Sequence, residues 1–349
     1  MSGRYRHFTE EDYRPRAHKS GTRPRTKNRP AHADAEEGMV VSVDRGRYRV
    51  VMSTELADVS AGSLPVVTCV RAKWLRRTPV VPGDRVRVVG DTSGKEGTLA
   101  RLVDIVERDT VLRRSADDTD ATERVIVANA DQLVVVTATA EPDPSWGLID
   151  RALTAAFDAG IRPVLAVTKL DLAPVDEVYD RFGSVDVEIV PCGFDPAGVP
   201  RVDRLREVLT GHLSVLLGHS GVGKSTLMNA LVPQAQRATG AVNDVTGHGR
   251  HTSSSAACLP LPTGGWIVDT PGVRSFGLAH VDVENVVAAF ADLVPATADC
   301  PKGCTHRTDS PGCTLDSWVA TGQAGEAGAA RLASLRRLLD NLADRDPAA

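Results

Sequence analysis

An α/β domain built around a phosphate loop (P-loop), with an all-β barrel before it and a small metal-bound helical domain after it, is what three features of this chain predict. The run Gly218-His219-Ser220-Gly221-Val222-Gly223-Lys224-Ser225-Thr226 fits G-x-x-x-x-G-K-[ST], and Asp269-Thr-Pro-Gly272 follows it where a Mg²⁺-sensing switch belongs. The base-reading tetrapeptide Thr168-Lys169-Leu170-Asp171 should come after both, but here it comes before them. That order is the mark of a circularly permuted GTPase domain. Short alternating apolar runs fill residues 38–115, and three cysteines and a histidine cluster within 300–313. The expected layout is a basic disordered arm (1–37), an OB-fold RNA-binding domain (38–115), the permuted GTPase domain (116–285) and a zinc-binding C-terminal domain ending in an amphipathic helix (286–349).

The arm is read from charge: residues 1–30 hold nine Lys/Arg against three Asp/Glu, with Pro15, Pro24 and Pro30 and few apolar side chains. Such segments stay unfolded and commonly contact phosphate backbones. In the barrel, runs at 39–43, 48–52, 66–70, 85–89 and 99–106 alternate apolar with polar residues and are broken by Gly, Asp, Ser and Pro. That pattern predicts a five-stranded antiparallel barrel of oligonucleotide-binding type. Arg71, Lys73, Arg76 and Arg77 would give it a basic face. Few aromatic residues are available for stacking, so contact with the backbone of shaped RNA is expected rather than single-strand reading.

In the GTPase domain, strands are expected at 132–136, 163–168, 185–190, 213–217 and 266–269, with helices at 148–159 and 224–231, forming a doubly wound sheet. Gly218, Gly221 and Gly223 let backbone N–H groups turn inward around phosphate oxygens. Lys224 then reaches the β- and γ-phosphates, and the Ser225 hydroxyl ligates Mg²⁺. Asp171 carries base selection: its carboxylate accepts from the N1–H and exocyclic amine of guanine, whereas adenine would leave it facing an acceptor. Lys169 packs its stem against the base. A further base-contacting loop should follow the strand at 185–190, at Cys192-Gly193.

The switch segments suggest how hydrolysis proceeds. Asp269 can hold Mg²⁺ through water, and the Gly272 N–H can bond the γ-phosphate. Val273 stands where many GTPases place a water-orienting glutamine, so a polar group from elsewhere is required and slow intrinsic turnover is expected. His251, in Gly249-Arg250-His251-Thr252-Ser253, is the candidate for positioning water, with Thr252 or Ser253 closing on Mg²⁺.

Cys300, Cys304, His306 and Cys313 suit a closed tetrahedral, structural Zn²⁺ site, since nothing in the chain points to disulfide formation. Cys69, Cys192 and Cys258 read as ordinary buried thiols. Residues 329–345 form an amphipathic pattern with Leu332, Leu335, Leu339 and Leu342 on one side, expected to pack on the body. The 349 residues allow two or three domains, and 42% hydrophobic content allows real cores. No apolar run approaches the about 18 residues of a membrane span, and the N-terminus lacks the apolar stretch of a signal peptide. A cytoplasmic monomer without a membrane partner is expected.

On these motifs the chain resembles the ribosome-small-subunit-dependent, circularly permuted GTPases of bacteria, from residue 38 to about 320. The resemblance implies a barrel that docks on 16S rRNA and hydrolysis of GTP to GDP stimulated by the 30S subunit. It also implies a role in late small-subunit maturation, a Cys₃His zinc site, and a switch motif at 249–252 whose histidine serves hydrolysis. Ser253 and Ser254 depart from the family's threonines, Cys300 to Cys304 is one residue shorter than usual, and His306 to Cys313 is one longer. The alternatives are a general P-loop ATPase, which would not need Asp171, and an RNA-binding scaffold with vestigial hydrolysis, suggested by Val273.

Overall fold

The computed structural model describes residues 32–53, 65–75, 78–115, 123–233, 256–270 and 281–343. The arm up to residue 31, Arg76, Arg77, and the switch residues His251, Thr252, Ser253, Gly272 and Val273 lie outside them. Strands β1 (Glu36–Asp44), β2 (Arg47–Val51), β3 (Val66–Arg71), β4 (Arg85–Val89) and β5 (Ala100–Ile105) pair in the order β1-β2-β3-β5-β4, and β4 returns to β1 to close a barrel. Alternation points Val40, Val50, Val67, Cys69, Val86, Val88 and Leu102 into one buried core. The expectation of a purely antiparallel barrel is corrected: β3 and β5 run parallel, with Cys69 opposite Ala100. A closed ring of five strands cannot alternate direction at every pairing, because five is odd.

An unanticipated hairpin, β6 (Val111–Ser115) with β7 (Glu123–Ala128), links the barrel to the next sheet. The barrel meets it at Gly83, whose φ is +86° and where a Cβ would lie 2.0 Å from the Ala128 carbonyl oxygen, so no other residue fits. Next to this turn, fully buried Asp84 accepts from the Val81 N–H and pairs with Arg108 at 2.7 Å.

The second sheet holds β8 (Gln132–Ala138), β9 (Arg162–Thr168), β10 (Glu188–Cys192), β11 (Leu213–Leu217), β12 (Ala257–Pro260) and β13 (Trp266–Asp269), ordered β10-β9-β8-β11-β13-β12. All neighbours are parallel except β12 with β13. Every residue of β8 and of β11 is buried, which is why both read as continuous apolar runs. Helix α1 (Trp146–Asp158) covers one face together with α2 (Asp176–Phe182). On the other face lie α3 (Asp203–Leu209) and α4 (Lys224–Leu231), through Leu205, Leu209, Leu227 and Leu231. The permutation is visible as topology: β8, β9 and β10 precede β11 in the chain yet lie to one side of it, with β13 on the other. Among the described residues, one bridge, Ser42 to Ala257, continues the sheet into the barrel. The strand expected at 185–190 runs Glu188–Cys192 instead, because buried Val185 donates its N–H to Phe182 O and closes the turn after α2.

Helices α5 (Val283–Ala288), α6 (Val294–Thr297), α7 (Leu315–Ala320) and α8 (Gly328–Ala343) complete the described chain. Leu332, Leu335 and Leu339 of α8 are buried in the same core as Leu148, Ile149 and Leu153 of α1, as the apolar stripe predicted; Leu342 of that stripe is only partly buried, and Leu338, outside it, is buried too. Buried Asp150 of α1 accepts from Arg181, Arg337 and Asn341, pinning α8 to α1 and α2. Asp34–Ala349 form one compact unit, distinct from Met1–Ala33. No helix among the described residues is long and apolar enough to cross a membrane.

Candidate active site and metal centre

Parallel pairing brings the ends of β8, β9, β11 and β13 to one edge of the sheet, where ligands of such folds bind. The phosphate loop leaves β11 here and ends in α4, whose first residue is Lys224. Gly221 and Gly223 have φ of +86° and +89°, and a Cβ on Gly218 would lie 2.6 Å from Val136 O. The glycines are therefore required by the backbone path itself. The loop lines a cavity of about 990 Å³, whose other wall is Pro142, Asp143, Ser145, Leu148 and Ile149.

Asp269 is paired with Leu216 across β13 and β11, which sets it beside the root of the loop. Lys224 Nζ lies 3.0 Å from Asp269 Oδ1 as an ion pair. The approach is off the hydrogen-bonding angle, so this buried oxygen takes no hydrogen bond. Held by the Lys224 ammonium alone, this buried carboxylate oxygen is of the kind a hard cation takes as a ligand. Thr270 next to it donates to Leu216 O at 2.9 Å and holds the chain in place.

The base-reading segment sits at the end of β9. Thr168 is buried and donates its hydroxyl to Val222 O of the phosphate loop at 2.6 Å, so the two motifs are joined directly although their order in the chain is exchanged. Lys169 has φ of +57°, and its Nζ donates to Glu141 O. Thr139 closes the turn by donating to Lys169 O at 2.6 Å. Asp171 is exposed at the mouth of the site, and Gly193, which follows β10, lies beside Leu170. Thus Thr168, Lys169, Asp171, residues 218–226 and Asp269 share one edge of the sheet. His251, Thr252 and Gly272 lie outside the described residues.

The metal candidates come together as expected: one ligand atom from each of Cys300, Cys304, His306 and Cys313 lies within 4.8 Å of the others. His306 Nδ1 is 3.6, 3.5 and 3.8 Å from the sulfurs of Cys300, Cys304 and Cys313. Ordinary Zn–S and Zn–N bonds at a tetrahedral angle give a sulfur–nitrogen edge of about 3.6 Å, so the unusual spacings still yield the right shape. The backbone is left-handed at Gly303, His306 and Gly312, within the turns that carry these ligands. Burial pushes the Cys313 thiol up to about 11 and holds His306 below its ordinary value, in the neutral form a metal needs. Burial would raise Cys304 too, but hydrogen bonds with Ser310, the His306 backbone and its fellow cysteines bring it below its usual value. Arg307 and Thr308 reach Asp340, tying the cluster to α8.

One surface feature was missed in the sequence. On the outer barrel surface, exposed Arg47, Arg49 and Arg101 line up across β2, β3 and β5, with Val70 between Arg47 and Arg101. The alternation in Arg-Tyr-Arg-Val-Val was the available signal. By contrast, Arg71 donates to Thr78 O at 2.9 Å and lies over the Tyr48 ring, so much of its role is structural.

Fold and site together define a circularly permuted GTPase with an N-terminal β-barrel. The family model "RsgA GTPase" matches residues 105–279. Two relatives, each named small ribosomal subunit biogenesis GTPase RsgA, are from Chlorobaculum parvum (34% identical over 75% of this chain and 85% of the relative) and Ectopseudomonas mendocina (38% over 63% of this chain and 64% of the relative). The crystal structure of YjeQ from Thermotoga maritima shares the fold with a TM-score of 0.64 at 24% identity, covering 89% of this chain and all of that one. That of YloQ, titled a circularly permuted GTPase, gives 0.62 at 21% identity, covering 92% of this chain and 99% of that one. The chain belongs to the RsgA GTPase family and is a GTP-hydrolysing enzyme.

Proposed function

We propose that the protein hydrolyses GTP to GDP and phosphate on the 30S ribosomal subunit, in the cytoplasm, late in small-subunit maturation. Docking of the barrel on 16S rRNA stimulates the reaction. The relatives' printed names supply the ribosomal part. The observation that carries the nucleotide part is the Thr168 to Val222 hydrogen bond, which makes base-reading turn and phosphate loop one rigid unit. Residues 218–226 cradle the phosphates, with Gly272 N–H completing the γ-phosphate contacts, while Thr168, Lys169 and Asp171 select guanine. Lys224 leaves Asp269 for the phosphates when nucleotide binds. Ser225, Asp269 and Thr252 or Ser253 would hold Mg²⁺, which when bound neutralises charge on the β- and γ-phosphates. His251 orients the attacking water that Val273 cannot.

Cys300, Cys304, His306 and Cys313 hold one structural Zn²⁺ with no open position for a reactive water. Arg47, Arg49, Arg101 and Lys73 contact RNA phosphates, so binding weakens as salt rises. The test is GTP turnover with and without small subunits. Stimulation of roughly tenfold or more is expected in the wild type, falling away in His251→Ala while GTP affinity is kept. A wild type indifferent to small subunits would overturn the ribosomal reading. A His251→Ala variant stimulated as strongly as wild type would overturn the role of the histidine.

A further inference from the structure

We propose that Ser310 and Arg336 are the outer donors of the metal centre, placed to hydrogen-bond the thiolates of Cys304 and Cys313 and so to set how tightly the metal is held; this rests on the structural-zinc reading above. A sulfur bound to Zn²⁺ has lost its proton and keeps lone pairs that can only accept. Three thiolates, a neutral imidazole and a dication leave the closed site with one net negative charge. In a half-buried setting that charge calls for donors aimed at the sulfurs.

Ser310 is such a donor. Its Oγ accepts the Thr305 N–H at 3.3 Å and lies 3.2 Å from Cys304 Sγ. The backbone thus takes a lone pair of the hydroxyl and leaves its proton for the sulfur. Thr314 shows the contrast. Its Oγ1 is closer to a ligand, 2.9 Å from Cys300 Sγ, but its proton already goes to Ala296 O at 2.6 Å, so it has none to give.

Arg336 comes from α8, and only the folded chain brings it here. Its two terminal nitrogens donate to Asp316 at 2.8 and 2.7 Å, yet its side chain is 15% exposed where that of Asp316 is 62% exposed. Water therefore screens much of the carboxylate's charge, while the guanidinium lies inside. The Cys313 side chain adjoins the same guanidinium, whose Nε–H is buried without an acceptor. An orphaned donor of this kind costs stability unless an acceptor meets it, and the Cys313 sulfur becomes a strong one when it binds metal. Because that donor sits on α8, the terminal helix is part of the metal site as well as of the core.

The experiment uses the full chain and measures Zn²⁺ affinity by competition with a chromogenic chelator, with GDP affinity as the check that the rest of the fold stands. Losing an outer donor to a metal ligand weakens binding by roughly ten- to a hundredfold. Ser310→Ala and Arg336→Gln should each fall by that much with GDP affinity kept. Ser310→Thr should retain wild-type affinity, and Asp316→Asn, which spares the donor to Cys313, should stay within about threefold. Loaded with Co²⁺ instead, Ser310→Ala and Arg336→Gln should move the thiolate-to-metal charge-transfer band to longer wavelength, because a sulfur that has lost a hydrogen bond gives up electron density more readily. Zn²⁺ affinity of both variants within about twofold of wild type overturns the proposal. So does weaker binding with the Co²⁺ band unmoved, which would make the two residues struts of the turns and no more. A wild type that binds neither Zn²⁺ nor Co²⁺ would sink the metal reading itself.

Discussion

The phosphate loop and the thiolate cluster both suit a small charged ligand, yet the fold holds them in opposite ways. The cradle hangs from β8 and β11, strands buried along their whole length, and its backbone path is dictated by glycines that no other residue could replace. The four metal ligands lie on turns between helices of four and six residues, and all but Cys313 are half-buried. Helices that short do not stand without tertiary support. A site backed by a sheet is preformed, whereas a site made of turns needs its ligand to exist.

The largest effect that could break this contrast is chemical. Lys224→Ala should lower GTP turnover by roughly a hundredfold or more, because it removes a contact to developing charge, while circular dichroism stays unchanged because the cradle does not depend on that side chain. Loss of fold in this variant would show that the cradle is not preformed.

Next comes metal removal. A chelator should abolish hydrogen-exchange protection across residues 294–320 and leave β8, β9 and β11 protected. Cys300, Cys304 and Cys313 should then react with a thiolate-specific reagent. Cys69, Cys192 and Cys258 should not, because burial pushes their thiols up to about 11, 12 and 12. The pH dependence has one sign: the ligands bind metal deprotonated, so zinc retention, followed with a colorimetric indicator, should fall as pH is lowered and rise as it increases. Equal reactivity of all six cysteines before chelation would erase the distinction between the two regions.

Smaller effects sharpen the picture of what stiffens the sheet. Arg108→Ala strands the buried Asp84 carboxylate at the barrel junction and should cost about 3 kcal/mol in urea unfolding. Thr168→Val removes the hydroxyl that joins base-reading turn and phosphate loop. It should cost about 1 kcal/mol in urea unfolding, because the bond to Val222 O is already formed in the fold.

Much of the nucleotide site was legible because its chemistry is local. A phosphate loop needs a strand, inward-facing N–H groups and a helix within a few residues, and 213–231 carry all three. The Cys₃His cluster was legible for the same reason. The β6–β7 hairpin was not, since seven residues separate its two short strands in place of a tight two-residue turn, and the basic row Arg47, Arg49 and Arg101 needed the register of three strands.

By itself the sequence determined the class of chemistry, the permuted order of the motifs and the candidate residues of two sites, because those depend on side-chain type and short spacing. Tertiary structure alone decided that Thr168 bonds Val222, that Lys224 pairs with Asp269, and that five barrel strands must include one parallel pair. Each of these joins residues far apart in the chain, and such contacts exist only once strands have chosen their neighbours.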